Sequence, residues 1–241
     1  MSSRSRFAEV VRAEPVDVGL AALLVAAEVE PTLDVDEWLE ALDALAAAVP
    51  MPSYEGLQSV LSVFGGSEDD FDDLRSSLLP EVLRRRRGLP LLLCVVWVEV
   101  AQRLGMAASY GAVPGRVVVV LGDLEDSYVA VDAFAGALID GPVHPLPPGD
   151  LLLRLLTNIR ALTLRQGLSL DAVRTRLWAT ELSLLLPAHP AELRRERGEL
   201  LVRLGQYELG AAELETYADV VEGTVGEACR SEARQARARL N

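Results

Sequence analysis

Lysine is absent from the sequence, so all 23 basic residues are arginine. The 36 acidic residues outnumber them and leave a formal net charge of −13 at neutral pH. A phosphate backbone repels a protein with such a field, which excludes nucleic acid as the main partner. The exclusive use of arginine also indicates a compositional bias, because alanine, leucine, valine and glycine are abundant as well. A cluster of arginines is therefore weak evidence for a binding site in this chain.

Cysteine and histidine are scarce, with two of each. Cys94 and Cys229 lie far apart in the sequence and provide neither a disulfide framework nor the paired spacing of a metal site. The two histidines add no zinc motif, so we predict no metal and no cofactor. Long apolar runs without charge are missing too, and no signal-like segment opens the chain. We therefore expect a soluble, cytoplasmic protein with no membrane partner.

The apolar spacing of residues 16–87 predicts a helical N-terminal part. Two helical patterns precede residue 50, and a third, shorter one ends at Gly65 and Gly66. The acidic stretch GSEDDFDD follows; it lacks the ligand spacing of a calcium loop and favours a solvated turn. The run from Arg84 to Arg87 could bind an acidic partner or phosphate, but an arginine face that lies in solvent over the core is the simpler interpretation.

Residues 88–140 change from a helical to a strand pattern. Pro90 suits the first position of a helix, and residues 91–104 are apolar on most faces, as in a helix surrounded by other elements. Three short β-branched or alternating segments follow, AASYGAV, RVVVVLG and SYVAVDAF. We predict a small antiparallel sheet that packs on the central helix. The proline-rich segment DGPVHPLPPGD then indicates a linker.

From Leu151 onward the pattern is purely helical. Gly167 and Gly205 occupy matching places in two helix pairs, at a separation close to the roughly 34 residues of a tetratricopeptide repeat plus a short insertion. After LGQY, the small residues Gly210 and Ala211 indicate two helices that cross closely. These features predict tetratricopeptide-like repeats, with generic helical hairpins as the alternative.

Cys94, near the start of the central helix, is the candidate nucleophile. Cysteine catalysis needs a thiolate, a base within reach and a group that orients the base. A histidine on the neighbouring strand and an aspartate on the next strand would complete a triad. Asp132 provides the carboxylate, but the base position holds Arg116, which accepts no proton at any useful pH. The alternative for Arg116 and Asp132 is a buried ion pair that holds the strands in register.

The order LRSSLLPEVLRRRRGLPLLLCVVWVEVAQRLGM, VPGR, VDAFAG and a C-terminal repeat pair resembles the bacterial SirB-type transglutaminase-like proteins with tetratricopeptide repeats. The resemblance covers the chain roughly from Leu20 to its end. It implies an α+β fold, in which a mostly helical, transglutaminase-like (papain-like) domain with a small antiparallel sheet precedes an all-α tetratricopeptide-like region. We expect the first domain at residues 1–146 and the repeats at residues 147–241.

The resemblance also implies where this chain departs from its family. The family often has serine or cysteine at the position of Cys94, a Pro-Gly-His strand after it and an Asp-Pro-Phe ending on the next strand. Here Arg116 replaces the histidine, Ala133 replaces the proline, and Ser76 stands where asparagine is common. Cys94, Arg116 and Asp132 then occupy the positions of a degenerate triad, which we expect to be inactive.

The missing base favours a non-catalytic protein-binding or accessory module. Such a protein would bind a protein or peptide through its helical repeats, or through the old cleft, where Arg116 could hold an acidic group. The alternative is a cysteine-dependent acyl-transfer or amide-hydrolase enzyme of altered mechanism, with Cys94 as nucleophile, Asp132 as support and His144 or a substrate group as base. An exposed connector is the simpler interpretation of the segment around His144. A purely structural helical adaptor is a third possibility, and the oligomeric state stays open.

Overall fold

The computed structural model describes residues 2–165, 167 and 169–239. The chain divides into two compact units, Met1–Leu155 and Leu156–Asn241. Helices and a five-stranded antiparallel sheet make up the first unit, whereas the second unit is helical. The α+β fold class predicted from the sequence is therefore confirmed.

The first unit begins with helices, and a short polar residue caps each of the first four. In chain order the helices are α1 (Ser3–Val10), α2 (Val18–Ala26), α3 (Val35–Ala47), α4 (Tyr54–Leu61), α5 (Leu79–Arg85) and α6 (Pro90–Arg103). Asp17 caps α2 by accepting the N–H of Leu20 at 2.8 Å, and the Asp34 side chain caps α3 in the same way. The sequence analysis assigned no helix to α1, because the segment is mostly polar; α1 buries Phe7 completely.

The central helix, α6, is buried along most of its length. Pro90 occupies its first position, as predicted, and every residue from Leu91 to Ala101 is buried. The helix packs against β1 and β2 of the sheet, described next, and against α2, α3, α4 and α5. A helix covered on all sides needs apolar residues on all sides, which is the pattern the sequence displays.

The sheet has the strand order β4-β3-β2-β1-β5, and every neighbouring pair is antiparallel. Its strands are β1 (Ala108–Val113), β2 (Arg116–Gly122), β3 (Tyr128–Asp132), β4 (Ala137–Ile139) and β5 (His144–Pro145). The first three strands confirm the sequence prediction. The central strand, β2, is buried from Val117 to Leu121, which explains its unbroken run of apolar residues.

The proline-rich segment after β4 contributes an edge strand. The prediction of a simple linker is wrong here, because His144 pairs with Ala112 and Pro145 pairs with Gly111 of β1. A proline cannot donate a backbone hydrogen bond, so an edge strand, which has one unpaired side, is the place in a sheet that accepts it. The sequence pattern gave no signal for this strand, because the strand is short and contains proline.

The acidic stretch before α5 is a folded segment, and the prediction of a solvated turn is correct for the exposed Glu68, Asp69 and Asp72 but wrong for Asp70. It forms two 3-10 helices, Glu68–Asp72 and Leu74–Ser77. The side chain of Asp70 is buried and accepts hydrogen bonds from the Ser76 hydroxyl at 2.7 Å and from the Ser67 backbone N–H at 2.7 Å. A buried carboxylate requires such partners, and they give this segment a defined shape.

The arginine run that begins in the last turn of α5 supplies the positive charge for that carboxylate. Arg87 Nη2 lies 2.9 Å from Asp70 Oδ2, and Arg85 Nη1 lies 3.0 Å from Asp73 Oδ2. The prediction that these arginines form a solvated face is therefore wrong for Arg85, which is 20% exposed, whereas Arg87 is exposed but also paired. They bind the acidic stretch of their own chain, which the sequence analysis had treated as a separate feature.

The second unit consists of consecutive helices that pack on one another. After α7 (Pro148–Arg165), which spans the division between the units, come α8 (Leu170–Ser183), α9 (Glu192–Arg203), α10 (Tyr207–Val220) and α11 (Thr224–Ala238). Helix α9 packs between α8 and α10, and α10 packs against α11. From α8 to α11 each helix thus contacts the next helix in the chain, which is the arrangement that helical repeats require.

Two glycines allow α9 and α10 to cross closely. A Cβ atom on Gly198 would lie 3.0 Å from the carbonyl oxygen of Gly210, and one on Gly210 would lie 2.8 Å from the carbonyl oxygen of Gly198. The predicted close crossing at Gly210 is therefore confirmed. Sequence analysis identified one side of this contact, and the structure shows that Gly198 forms the other.

Ion pairs between arginine and glutamate also connect these helices. Arg197 of α9 bonds Glu181 of α8 at 3.0 Å and also bonds Glu213 of α10. Glu196 accepts from Arg160 and from Arg176. Because these side chains are partly exposed, each pair contributes modestly to stability, in the range of about 0–1 kcal/mol. Many arginines of this unit are thus bonded within the chain.

Candidate active site

Cys94 lies one turn into α6 and has no exposed surface. Its thiol lies 3.5 Å from the carbonyl oxygen of Val117, at the start of β2, to which it donates a weak hydrogen bond. Burial, with a further contribution from the Asp132 carboxylate, raises the pKa of Cys94 to about 12; the backbone N–H of Ala133 opposes this only in part. At neutral pH the thiol is protonated, and a protonated thiol is a poor nucleophile.

Arg116 and Asp132 form an ion pair across the ends of two neighbouring strands. Arg116 starts β2, Asp132 ends β3, and the Arg116 Nη1 to Asp132 Oδ2 distance is 2.6 Å. The other carboxylate oxygen of Asp132 accepts the backbone N–H groups of Phe134 at 3.0 Å and Ala135 at 3.2 Å. Both oxygens of Asp132 are therefore engaged, one by the arginine and one by the turn after β3.

The ion pair lies at the rim of the protein and not in its interior. The side chain of Arg116 is 56% exposed, whereas that of Asp132 is 10% exposed. The expectation of a buried pair is correct for the carboxylate but wrong for the guanidinium. Cys94 lies beneath this pair, since it contacts Val117, the residue after Arg116, and its pKa responds to Asp132. The fold thus brings the three positions together.

His144 lies on the opposite side of β1 from β2. It pairs with Ala112, and Ala112 pairs on its other side with Val117. Two strand spacings, roughly 10 Å, therefore separate the backbones of His144 and Val117. The side chain of His144 is exposed, while Cys94 is fully buried. This arrangement does not place the imidazole within the hydrogen-bond reach that a general base needs.

Comparison with known protein families identifies the kind of domain that contains this site. Residues 25–143 match the family model of the transglutaminase-like superfamily, and residues 168–241 match that of the tetratricopeptide repeat. The chain joins a transglutaminase-like domain to tetratricopeptide repeats. The resemblance stated from the sequence is therefore confirmed. The first match includes Cys94, Arg116 and Asp132, whereas His144 lies just beyond its end.

The curated relatives are similar at modest identity. A UPF0162 protein of Xylella fastidiosa (strain 9a5c) is 27% identical over 185 residues, which cover 67% of this chain and 64% of that protein. A UPF0162 protein of Pseudomonas aeruginosa is 29% identical over 205 residues, which cover 72% of this chain and 75% of that protein. The chain thus spans 64% of the length of the Xylella protein. No solved structure matches.

Ser76 has a structural role in the transglutaminase-like domain. It is fully buried, and its hydroxyl donates to Asp70 at 2.7 Å. Its carbonyl oxygen accepts the N–H of Leu89 at 2.9 Å, directly before α6 begins. Ser76 therefore links the acidic stretch to the start of the helix that carries Cys94.

Helix α4 holds the turn that follows Asp132. The hydroxyl of Tyr54 and the side-chain amide of Gln58 both donate to the carbonyl oxygen of Gly136, at 3.3 Å and 3.0 Å. The ring of Tyr54 also stacks against that of Trp97 on α6, at a centroid distance of 6.3 Å. The sequence analysis missed these contacts, since two polar side chains on an amphipathic helix give no signal of their target.

Glu99 is a second residue that the sequence analysis did not select. It is buried on α6, and its carboxylate accepts the N–H of Gly19 at 2.9 Å and a hydrogen bond from Arg103 at 2.6 Å. Burial raises the pKa of Glu99 despite the contacts with Arg103 and Gly19. The sequence did contain a signal for Glu99, which is the single carboxylate inside the apolar run VVWVEVA. A charged group in such a run is buried only when other groups pair with it.

Two kinds of site find no support in the described residues 2–165, 167 and 169–239. No helix among them is long and apolar enough to cross a membrane. No group of three or more histidine, cysteine, aspartate or glutamate side chains among them could hold a metal ion.

Proposed function

We propose that this transglutaminase-like protein with tetratricopeptide repeats is a non-catalytic binding or accessory module. The ion pair of Arg116 and Asp132 above the buried thiol of Cys94 is the observation that carries the proposal. Arginine cannot accept the proton that cysteine catalysis must remove. It also occupies one oxygen of the carboxylate that would orient a base. A pKa of about 12 for Cys94 supports the same conclusion.

The proposed partner is a protein or peptide. A guanidinium carries five N–H donors, so Arg116 retains donors beyond the one that Asp132 accepts. Its exposed side chain is suited to a carboxylate on a partner, which it could bind in the bidentate manner typical of arginine. Tetratricopeptide repeats commonly mediate protein interactions, and their grooves suit an extended or helical segment.

We also propose that the protein works in the bacterial cytoplasm. Cys94 and Cys229 are both free thiols, which suits a reducing compartment. The relatives named above come from bacteria.

Site-resolved alkylation tests the absence of catalytic reactivity. The native protein is treated with iodoacetamide at about pH 8, and each cysteine is quantified by peptide mass spectrometry. We expect Cys94 to stay unmodified until the protein is denatured, because its thiol is buried and protonated. Cys229 is also buried, but it lies in the final helix, where local opening is easier, so it should react first. Cys94→Ala serves as the blank.

The cysteine-enzyme alternative makes the opposite prediction. If Cys94 reacts faster than Cys229 in the native protein, with an apparent pKa below the usual thiol value of about 8.5, the non-catalytic proposal is overturned. Hydrolysis of an acyl or amide substrate that disappears in Cys94→Ala would overturn it as well.

A matched pair of arginine variants tests the binding role. Arg116→Gln removes the exposed guanidinium at the rim, and Arg174→Gln removes one of similar exposure on α8. Cross-linking of both proteins in cells, followed by mass spectrometry, should show a partner that is lost with Arg116→Gln and kept with Arg174→Gln. Identical cross-link profiles for the two variants would contradict a role of Arg116 in binding.

A further inference from the structure

A small cavity of about 110 Å³ lies among the helices of the second unit. The described residues that line it come from the C-terminal end of α7, the loop before α8, the first two turns of α8 and the C-terminal half of α9. All of them lie beyond position 155, whereas Cys94, Arg116 and Asp132 belong to the first unit. The cavity is therefore a feature of the helical repeats alone.

The buried part of the lining is apolar. Ala172, Val173 and Leu200 line the cavity, and each is buried. Thr163 is buried as well, and its hydroxyl already donates to the carbonyl oxygen of Arg160 at 2.7 Å. An apolar cavity of roughly 150 Å³ holds one molecule of benzene, so the cavity of about 110 Å³ has room for a single aliphatic side chain.

Arg203 provides a free positive charge on the same lining. Its side chain is exposed, and its guanidinium has no ion pair or hydrogen bond among the residues that the structure describes. Arg203 is an exception on its own helix and on α8, because every other arginine of these two helices forms an ion pair. These paired residues are Arg174, Arg176, Arg194, Arg195 and Arg197.

The surroundings of the cavity carry an excess of positive charge. Arg176 and Arg203 line it, and no acidic residue does so in the described part of the chain. Glu196, which pairs with Arg176, also pairs with Arg160, so one carboxylate serves two guanidiniums. An acidic group is therefore attracted to this place, although the chain as a whole has a net charge of −13.

The size of the cavity favours part of a larger partner over a free small molecule. Pockets for small molecules measure roughly 300–1,000 Å³, and this cavity is well below that range. Leu164 also lines it and is 61% exposed, so apolar surface continues outside the cavity. A peptide segment can fill the cavity with one side chain and contact this surface with its neighbours.

We propose that this cavity is a docking site for a segment of a partner protein in which an aliphatic side chain is followed by an acidic residue. The aliphatic side chain enters the cavity, and the carboxylate pairs with Arg203. The inference rests on the proposed binding function, because it names the kind of segment that the repeats bind. It makes no use of Arg116 or of the cleft at Cys94.

Nuclear magnetic resonance titration of the isotope-labelled full chain with defined peptides tests the inference. The first probe is Gly-Ser-Leu-Glu-Ser-Gly with both ends blocked, and the amide signals of Val173, Leu200 and Arg203 report on the cavity. We expect saturable shifts at millimolar peptide. Glutamine in place of glutamate should weaken binding about two- to fivefold, as for the loss of an exposed ion pair. Alanine in place of leucine should weaken it about tenfold or more, because most of the buried apolar surface is lost.

Matched variants separate Arg203 from general charge effects. Arg203→Gln should bind the glutamate and glutamine peptides equally weakly. Arg234→Gln removes an exposed arginine of α11 that is also without an ion pair among the described residues and lies outside the cavity lining, and it should bind like the wild type. Arg203→Glu should reverse the preference and favour a peptide with lysine in place of glutamate.

The inference is overturned if the first peptide causes no shifts at these amides, if the glutamine peptide binds as tightly, or if Arg203→Gln and Arg234→Gln behave alike. A shorter probe, Gly-Ser-Leu with a blocked N-terminus and a free C-terminal carboxylate, tests the other source of a carboxylate. If it binds more tightly than the first peptide, the occupant is a chain terminus and the assignment to an internal acidic residue is wrong. The proposed function is decided by the reactivity of Cys94, which none of these titrations measures.

Discussion

Glu99 and Gly19, which are 80 residues apart in the sequence, meet in a close contact. A Cβ atom on Gly19 would lie 2.5 Å from Cδ of Glu99, and the Gly19 N–H donates to the same carboxylate at 2.9 Å. The glycine lets the first turn of α2 approach the buried acid closely. The helix N-terminus then supplies one of the partners that a buried carboxylate requires.

The first prediction concerns this contact. Gly19→Ala should lower the free energy of unfolding by about 1–3 kcal/mol, because the added methyl group displaces the carboxylate in a packed interior. Urea unfolding followed by circular dichroism measures the change. Gly149→Ala, in the first turn of α7, is the control, because a Cβ atom there meets no neighbouring atom and alanine favours a helix. If both variants had the same free energy of unfolding as the wild type, a methyl group at Gly19 would cost no stability, and the prediction would be wrong.

The second prediction concerns the effect of acid on the stability that Asp70 contributes. Burial alone would raise the pKa of Asp70, but hydrogen bonds from Arg87, Ser76 and Ser67 outweigh it and hold the pKa at about 2, below the ordinary 3.8. A depressed folded-state pKa gives stability that is present above about pH 4 and is lost as the pH falls toward 2. We expect Asp70→Asn to be less stable than the wild type at pH 6 and to lose less stability on acidification.

Urea unfolding at pH 6, 4 and 3 measures the dependence on acid. The exposed neighbour Asp69 provides the control variant Asp69→Asn, which should follow the wild type at each pH. An acid dependence of Asp70→Asn equal to that of the wild type would contradict the assignment of this stability to Asp70.

The third prediction concerns the triad positions. Arg116→His restores the residue types of a cysteine, histidine and aspartate triad, but it leaves Cys94 without exposed surface. We expect no gain in the rate of Cys94 alkylation. Because the side chain of Arg116 is 56% exposed, the stability change should stay within about 1 kcal/mol. Site-resolved labelling and urea unfolding check both outcomes, and rapid labelling of Cys94 would show that burial is not the barrier.

The fourth prediction concerns the crossing of α9 and α10. Gly210→Ala places a methyl group against the backbone oxygen of Gly198, which cannot move aside as a side chain can. The helices must separate, and we expect a loss of about 1–3 kcal/mol in the stability of the second unit. Hydrogen exchange of the α9 and α10 amides localises the effect. Leu209→Ala, at an exposed neighbour on α10, should change stability by less than about 0.5 kcal/mol.

Patterns of apolar residues were sufficient to predict the elements whose burial is uniform. Helix α6, which is buried from Leu91 to Ala101, and strand β2, which is buried from Val117 to Leu121, were both predicted because a covered surface demands apolar side chains. The edge strand β5 was missed, since two residues with a proline leave no periodic signal. The positions of Cys94, Arg116 and Asp132 were found through a family resemblance, because their adjacency depends on the register of two strands and a helix.

Polar contacts between distant segments lay beyond prediction from the sequence. The Asp70 cluster joins an acidic stretch and an arginine run that each looked solvated when considered alone. The hydrogen bonds of Tyr54 and Gln58 to Gly136 are equally invisible in a periodic pattern. So is the hydroxyl of Tyr110, which has no hydrogen-bond partner among the residues that the structure describes. Direction and distance decide whether a polar group is paired, and the order of residues specifies neither.

The sequence by itself determined the α+β class, the central buried helix, the three main strands and the helical repeats. These features depend on side-chain type and spacing, which act locally. Only the tertiary structure decided that Arg116 pairs with Asp132 and that Cys94 is buried beneath them. Those facts depend on which surfaces pack together, because burial and hydrogen bonding arise between segments that are far apart in the chain.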